Sequence, residues 1–83
     1  MTDEIRKIIS EHGRLQSDVS TLATDADLYQ AGLSSHASVN VMLALEDHFD
    51  LEFPDGMLTP SVFKSIASIE AAVSELRADA VLS

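Results

Sequence analysis

Three adjacent residues, Ser34-Ser35-His36, carry the side chains best suited to chemistry in this chain. They follow Gly32 and open a stretch whose apolar spacing predicts an amphipathic helix, so a serine here could be a nucleophile, an attachment point or a helix cap. A Ser-His hydrolase is disfavoured because neighbouring residues on a helix diverge by about 100°. The sequence also shows no G-x-S-x-G elbow and no third triad residue. Attachment and capping therefore stay open.

The length and the composition limit what the chain can do. With 83 residues we expect one domain over residues 1–83, too small for a deep catalytic cleft, and no enzymatic activity. The chain has no cysteine, which excludes disulfides and a catalytic thiol, and its three histidines lie too far apart to predict a metal site. Asp25-Ala26-Asp27 starts like a calcium loop, but Tyr29 and Gln30 stand where an oxygen ligand and a glycine are needed.

The net charge limits which partners the chain can bind. Five basic and fourteen acidic residues give a formal net charge of −9, which disfavours nucleic acid and anionic membranes. The charge could equally serve solubility or a basic partner surface. Met1-Thr2-Asp3-Glu4 lacks the features of a signal peptide, and no apolar run is long enough to span a membrane. We expect a cytoplasmic monomer.

Apolar residues recur at helical spacing through most of the chain and predict an all-α fold. The expected architecture is a bundle of three main helices plus one short helix, with a long first loop held by apolar side chains. The predicted segments are a first helix over about residues 3–15 capped by Thr2, a loop over 16–34, a second helix over about 35–49, a short helix starting at Thr59-Pro60, a last helix capped by Ser68, and a fraying tail over 77–83.

The second predicted helix has two apolar faces. Ser35, Val39 and Leu43 share a stripe separate from the core stripe, and Glu46 and Asp47 continue it as charge. This stripe is either a docking surface rimmed by carboxylates or one side of a helix buried on both faces and capped by Ser35; the exposure of Val39 and Leu43 separates the two readings. The core stripe is predicted to consist of Val41, Met42, Leu45 and Phe49.

Two runs resemble the acyl carrier and peptidyl carrier proteins, and the likeness covers nearly the whole chain. LYQAGLSS, residues 28–35, is similar to the family signature Leu-x-x-x-Gly-(Leu)-Asp-Ser. ALEDHFDLEFP, residues 44–54, is similar to the family run Leu-Glu-x-x-Phe-(Asp/Gly)-(Ile/Val)-x-(Ile/Phe)-(Pro). Each run alone is moderately specific, and the two in this order make a strong signal.

The resemblance implies a role for Ser35. In this family a phosphopantetheinyl transferase attaches 4′-phosphopantetheine to the serine at the helix start, and the match assigns that attachment to Ser35. An acyl- or amino acid-activating ligase then loads the arm as a thioester, and a downstream enzyme uses the group. Such an arm would give this cysteine-free chain a thiol. The residues predicted to dock partners are Leu33, Ser34, His36, Val39, Leu43, Glu46 and Asp47.

The chain departs from the family pattern on both sides of Ser35. The usual aspartate is Ser34, which can still cap the helix, and the usual leucine is His36, which suggests a different partner. Carriers of fatty-acid synthesis usually present acidic residues on the exposed face of this helix, where Ala37 and Asn40 are expected here.

The cargo expectation follows from these departures. The turn containing Tyr29 and Gly32-Leu33 resembles peptidyl and stand-alone aminoacyl carriers, the latter loaded by amino acid:[carrier protein] ligases. We therefore favour an aminoacyl cargo. The alternatives are an acyl carrier for fatty-acid, polyketide or lipid biosynthesis and an unmodified carrier-like module that only docks.

Overall fold

A computed structural model describes residues 2–15 and 18–82, with side chains to Arg77 in the last helix. Its four α-helices are α1 (Thr2–His12), α2 (Ser35–Phe49), α3 (Pro60–Phe63) and α4 (Ile66–Leu82), with 3₁₀ turns at Val19–Thr21 and Asp55–Met57. The part of the chain that the structure describes contains no strand. The predicted bundle of three main helices plus one short helix, with a long first loop, is confirmed.

Helix α1 begins earlier and ends earlier than predicted. Thr2 lies inside the helix instead of capping it, and its hydroxyl donates to the Glu70 carboxylate of α4. The helix ends at His12, whereas the apolar spacing predicted residue 15. The reason is local: the Gly13 N–H still bonds the Ile9 carbonyl at 2.7 Å, but Arg14 takes a left-handed φ of 53° that stops the helix.

The long first loop is held against the bundle, as its apolar residues predicted. The Arg6 guanidinium of α1 donates to the carbonyls of Val19 and Leu22, at 2.7 and 2.8 Å. The Leu28 N–H donates to the Lys64 carbonyl at 2.6 Å, and the side chains of Val19 and Leu28 are buried. These bonds satisfy backbone groups that burial would otherwise leave unpaired.

Helix α4 begins at Ile66, so Ser68 is not its cap. Ser65 precedes the helix, and its hydroxyl accepts the Ser68 N–H at 3.1 Å while its own N–H donates to the Ser68 hydroxyl at 3.0 Å. This reciprocal pair is a capping box with serine at both positions. The Ser68 hydroxyl also donates to the Val62 carbonyl at 2.7 Å and so links α3 to α4. The helix continues to Leu82. The predicted fraying of the tail over residues 77–83 stays a prediction, and Ser83 lies outside the described residues.

One apolar core joins the elements, and α1 packs against both α2 and α4. Helix α2 contributes Ala37, Val41 and Leu45, which are spaced by four residues and share one face. The expectation that Ala37 lies on the exposed face is therefore wrong, since its side chain is buried. The remaining buried apolar residues are Ile5, Ile8, Ile9, Val19, Leu28, Leu33, Phe53, Phe63, Ile66, Ile69, Ala72 and Val73. Among the described residues, no helix combines the length and the apolar character that a membrane crossing requires.

Candidate functional site

The chain enters α2 through a tight turn that the sequence specifies. The Asp27 carboxylate accepts the Tyr29 N–H at 2.9 Å and starts the turn, and the Leu33 N–H closes it on the Leu28 carbonyl at 2.9 Å. Gly32 has a φ of 113°, which side-chain-bearing residues rarely adopt. With both leucines buried, the turn is anchored and delivers the following serines to the surface.

Ser34 and Ser35 play different roles at the start of α2. Ser34 is the N-cap, with extended backbone angles of −92° and 163°, and its hydroxyl accepts the Ala37 N–H at 3.0 Å. This confirms that the serine in the place of the family's aspartate can cap the helix. Ser35 is the first helical residue and is exposed. Capping and availability for attachment therefore belong to two different hydroxyls.

Ser35 borders a groove of about 390 Å³ between α2 and the segment that leads into α3. All of its lining side chains are uncharged, and most are apolar. The groove is partly open to solvent and places apolar side chains next to Ser35. Its lining residues are Tyr29, Ser35, Ser38, Val39, Met42, Leu58, Thr59, Pro60 and Phe63.

Three exposed apolar side chains accompany this groove: Val39 and Leu58 line it, and Leu43 lies one helical turn beyond Val39. Val39 is 50% exposed and Leu43 is 53% exposed, so α2 is not buried on both faces and its second apolar stripe is open to solvent. Leu58 is 44% exposed, and sequence reasoning missed it. The sequence does contain a signal for Leu58. Leu58 immediately precedes the N-cap residue of α3, and Phe63 is the fourth residue of that helix, which is the spacing of a hydrophobic staple. We call Val39, Leu43 and Leu58 the apolar ridge.

The predicted docking residues do not all lie on that surface. His36 and Asp47 are exposed as expected. Leu33 is only 4% exposed because the closed turn draws it into the core, so its side chain offers little surface to a partner; its docking role stays a prediction. Glu46 is half-buried, and its carboxylate accepts the Phe53 N–H at 2.8 Å, which fixes the segment after α2.

A second, charged cleft of about 540 Å³ lies between α1 and α2. It is lined by Leu43 and Asp47 from α2 and by His12 and Arg14 from the α1 end, among others. Near it, the His48 ring bonds the Glu4 carboxylate at 2.9 Å and joins the two helices. This hydrogen bond is the main cause that lowers the pKa of Glu4 below its ordinary value.

The site has the chemistry of an attachment point. Within the described residues no group of three or more His, Asp or Glu side chains could hold a metal. A serine in the first turn of a helix lies close to backbone N–H groups that lack helical acceptors, and these tolerate an attached phosphate. The exposed Ser35 hydroxyl, the open groove and this donor set fit a phosphate-linked arm.

Residues 3–73 match the family model described as the phosphopantetheine attachment site. The chain belongs to this family. Its members carry 4′-phosphopantetheine covalently on a serine, in agreement with the donor set at the start of α2.

The relatives that resemble this chain include a named aminoacyl carrier and carriers in complex with a glycine:[carrier protein] ligase. The chain is 51% identical, over 73 residues and 88% of each sequence, to the aminoacyl carrier protein of Agrobacterium fabrum. A solved complex contains an engineered Bradyrhizobium japonicum glycine:[carrier protein] ligase, a carrier protein from Agrobacterium tumefaciens and AMP. This chain is 50% identical to a chain of that complex, with a TM-score of 0.86, and the match covers 89% of this chain and 99% of that one. It is 27% identical, with a TM-score of 0.72, to a chain of the Bradyrhizobium japonicum ligase complexed with glycylated carrier protein, covering 86% of this chain and 95% of that one.

Proposed function

We propose that this protein is an aminoacyl carrier whose arm is attached to Ser35. The observation that carries the proposal is the placement of Ser35: an exposed hydroxyl at the first position of α2, beside an uncharged open groove. The arm supplies a terminal thiol on which an aminoacyl group is held as a thioester. The chain itself positions the arm and presents it, and it catalyses no step.

The hydrogen bonds at the helix start favour Ser35 over its neighbours as the modified residue. The Ser34 hydroxyl accepts the Ala37 N–H, and the Ser38 hydroxyl donates to the Ser35 carbonyl at 2.7 Å. Modification of either would disturb a bond that orders the first turn. Within the described part of the chain, no such bond engages the Ser35 hydroxyl, so its modification leaves the first turn intact.

The relatives support an aminoacyl cargo. The relative at 51% identity is named for that cargo, and the carriers of the similar complexes are bound to a glycine:[carrier protein] ligase, one of them glycylated. An amino acid:[carrier protein] ligase is therefore the loading partner that we propose for this chain. An acyl carrier for fatty-acid, polyketide or lipid biosynthesis is the alternative that the loading assay below separates.

The apolar ridge is the surface that we propose for partner docking. Val39 and Leu43 lie one and two helical turns beyond Ser35, so a partner that covers them also reaches the arm. His36 and Asp47 are exposed on the same helix and supply polar contacts at the rim. The phosphopantetheinyl transferase, the ligase and the enzyme that takes the aminoacyl group would dock here in turn, each on a monomeric carrier.

The first experiment tests attachment. The chain is co-expressed with a broad-specificity phosphopantetheinyl transferase and its intact mass is measured. We expect the mass to rise by one arm in the wild type and in Ser34→Ala, and to remain that of the unmodified chain in Ser35→Ala. The circular dichroism spectrum of each variant checks that it is folded. A gain that persists in Ser35→Ala would move the attachment elsewhere, and no gain with any transferase would favour the unmodified docking module.

The second experiment tests the cargo. The modified protein is incubated with ATP and either a glycine:[carrier protein] ligase with single amino acids or an acyl carrier synthetase with fatty acids. We expect an aminoacyl thioester, seen as a mass increase that hydroxylamine reverses. Loading by fatty acids alone would overturn the aminoacyl assignment and leave the attachment site standing.

A further inference from the structure

The surroundings of Ser35 contain very little charge. Between Leu28 and Leu45 the sequence has no Asp, Glu, Lys or Arg, although the chain carries a net charge of −9. The residues that line the groove beside Ser35, including those from the α3 side, are also uncharged. The phosphodiester of an arm on Ser35 would therefore bring a negative charge to a neutral end of the molecule.

His36 is the side chain in this stretch that changes charge near neutral pH. It is exposed, and it occupies the second position of α2. The Cα–Cβ bonds of a helix tilt toward its N-terminus, so a side chain at this position extends toward the helix start. The angle of about 100° that separates Ser35 from His36 does not exclude contact, because the phosphate oxygens stand two bonds beyond the serine hydroxyl and an imidazole is long.

A protonated histidine at the start of a helix is stabilised by a negatively charged partner. A positive charge in the first turn is opposed by the helix dipole, whereas a phosphate there is favoured. Ser34, Ala37 and Ser38, the neighbours of the pair in the sequence, carry no charge. Asp47, on the same exposed side of α2, lies eleven residues away, or about 16 Å along the helix, beyond the range of effective interaction at ordinary salt.

Three other charged residues belong to the segments beside the groove and the helix start, and one of them is Asp55, exposed in the 3₁₀ turn that precedes Leu58. Asp27 uses its carboxylate to accept the N–H groups of Tyr29 and Gln30. Lys64 follows Phe63, a groove residue, and its backbone carbonyl bonds Leu28. Lys64 is the rival partner for a phosphate, but an ordinary lysine keeps its charge throughout the range in which a histidine titrates. The pH dependence therefore distinguishes the two.

We propose that His36 is the counter-charge of the arm: its protonated imidazole pairs with the phosphodiester on Ser35 and holds the first bonds of the tether against the start of α2. This inference rests on the proposed attachment at Ser35. His36 is then a positioning residue, and the pairing requires the protonated form of its imidazole. As the pH rises, the pair is lost and the arm is released from the helix start.

Phosphorus NMR of the modified protein tests the pairing directly. A phosphodiester has no proton to gain or lose between pH 5 and about 8.5, so any movement of its ³¹P resonance in that range reports a titrating neighbour. We expect the resonance to move along a single titration curve in the wild type and to stay fixed in His36→Leu. Lys64→Met and His48→Gln are the matched controls, since one removes the rival cation and the other a histidine about 18 Å from His36 along α2. Both should keep the wild-type curve.

Each outcome has one meaning. A flat wild-type curve, or a curve that survives in His36→Leu, overturns the pairing with His36. Loss of the curve in Lys64→Met also overturns it. Absence of any phosphodiester resonance, which Ser35→Ala is expected to show, would instead mean that the attachment proposal has failed. Circular dichroism of the modified variants, recorded at the same pH values, shows that a flat curve does not come from unfolding.

Discussion

The two ends of α2 are built differently. At its start, the Ser34 hydroxyl caps the helix, Ser35 is exposed, and the adjoining groove is uncharged. At its end, the Glu46 carboxylate holds the Phe53 N–H, and the His48 ring is bonded to Glu4 of α1. The start presents a surface, whereas the end ties the helix to other segments.

The difference assigns the charged and the apolar residues of α2 to different tasks. The exposed apolar side chains Val39 and Leu43 lie one and two turns from Ser35, and the half-buried Glu46 carboxylate satisfies a backbone donor beyond the other end. Binding of a partner to this carrier should therefore depend on apolar contacts near Ser35. Glu46, near the far end, should matter chiefly for folding.

The largest expected effect is on loading, at the apolar ridge. Leu43→Ala and Val39→Ala should each lower the kcat/KM of loading by the ligase about tenfold, because a buried apolar anchor contributes more than about 1.4 kcal/mol to binding. The free energy of unfolding should change by less than about 0.5 kcal/mol, since both side chains are exposed in the free protein. Steady-state loading kinetics and urea titrations measure the two quantities.

The exposed Glu52→Ala is the control for the ridge variants. It changes a residue beyond the far end of α2 and should leave loading unaltered. Wild-type kcat/KM in Val39→Ala, Leu43→Ala and the double variant would show that the ridge is not where the ligase docks.

The next largest effect is expected at Glu46, on stability instead of on loading. Glu46→Ala leaves the Phe53 N–H without its acceptor and should cost about 1 to 2 kcal/mol of the free energy of unfolding, measured by urea denaturation. Loading at a temperature where the variant is folded should change by less than twofold. Asp47→Ala, the exposed neighbour, should cost under about 0.5 kcal/mol. Equal stability of the two variants would remove the distinction between the ends.

A smaller effect is expected at the cap. Ser34→Ala removes the acceptor of the Ala37 N–H and should lower the free energy of unfolding by about 1 kcal/mol, with attachment at Ser35 retained. Ser34→Asp restores the residue usual in the family and should keep the stability, since aspartate caps equally well. Thermal unfolding with intact-mass analysis measures both. If Ser34→Ala prevented attachment while remaining folded, Ser34 would have a role in transferase recognition beyond capping.

Much of this organisation could be predicted from the sequence. The bounds of α2 were predicted because the turn at Gly32 precedes it and no Gly or Pro interrupts it before Phe49. The two runs around Ser35 and Phe49 identified the family because they combine a turn, a helix start and a helix end at fixed spacing. Local signals of this kind do not depend on how the helices pack.

What the sequence could not predict depends on that packing. Periodicity placed Val39 and Leu43 on one stripe but could not say whether another helix covers them. Ala37 could have been assigned to the core, since it stands four residues before Val41. The sequence pattern shows the turn before α2 but not that Leu33 is folded into the core, and it does not show that the Glu46 carboxylate accepts the Phe53 N–H.

The smallest expected effect concerns pH and the bond between Glu4 and His48. Because this bond lowers the pKa of Glu4 in the folded protein, its stabilisation is present above about pH 4.5, the ordinary value, and is lost as the pH falls through the lowered value. The Tm of Glu4→Gln should therefore lie slightly below that of the wild type at pH 6, and the gap should close toward pH 3. The exposed Glu52→Gln should follow the wild type throughout. A gap that stays constant down to pH 3 would mean that the uncharged side chain, not the carboxylate, joins α1 to the far end of α2.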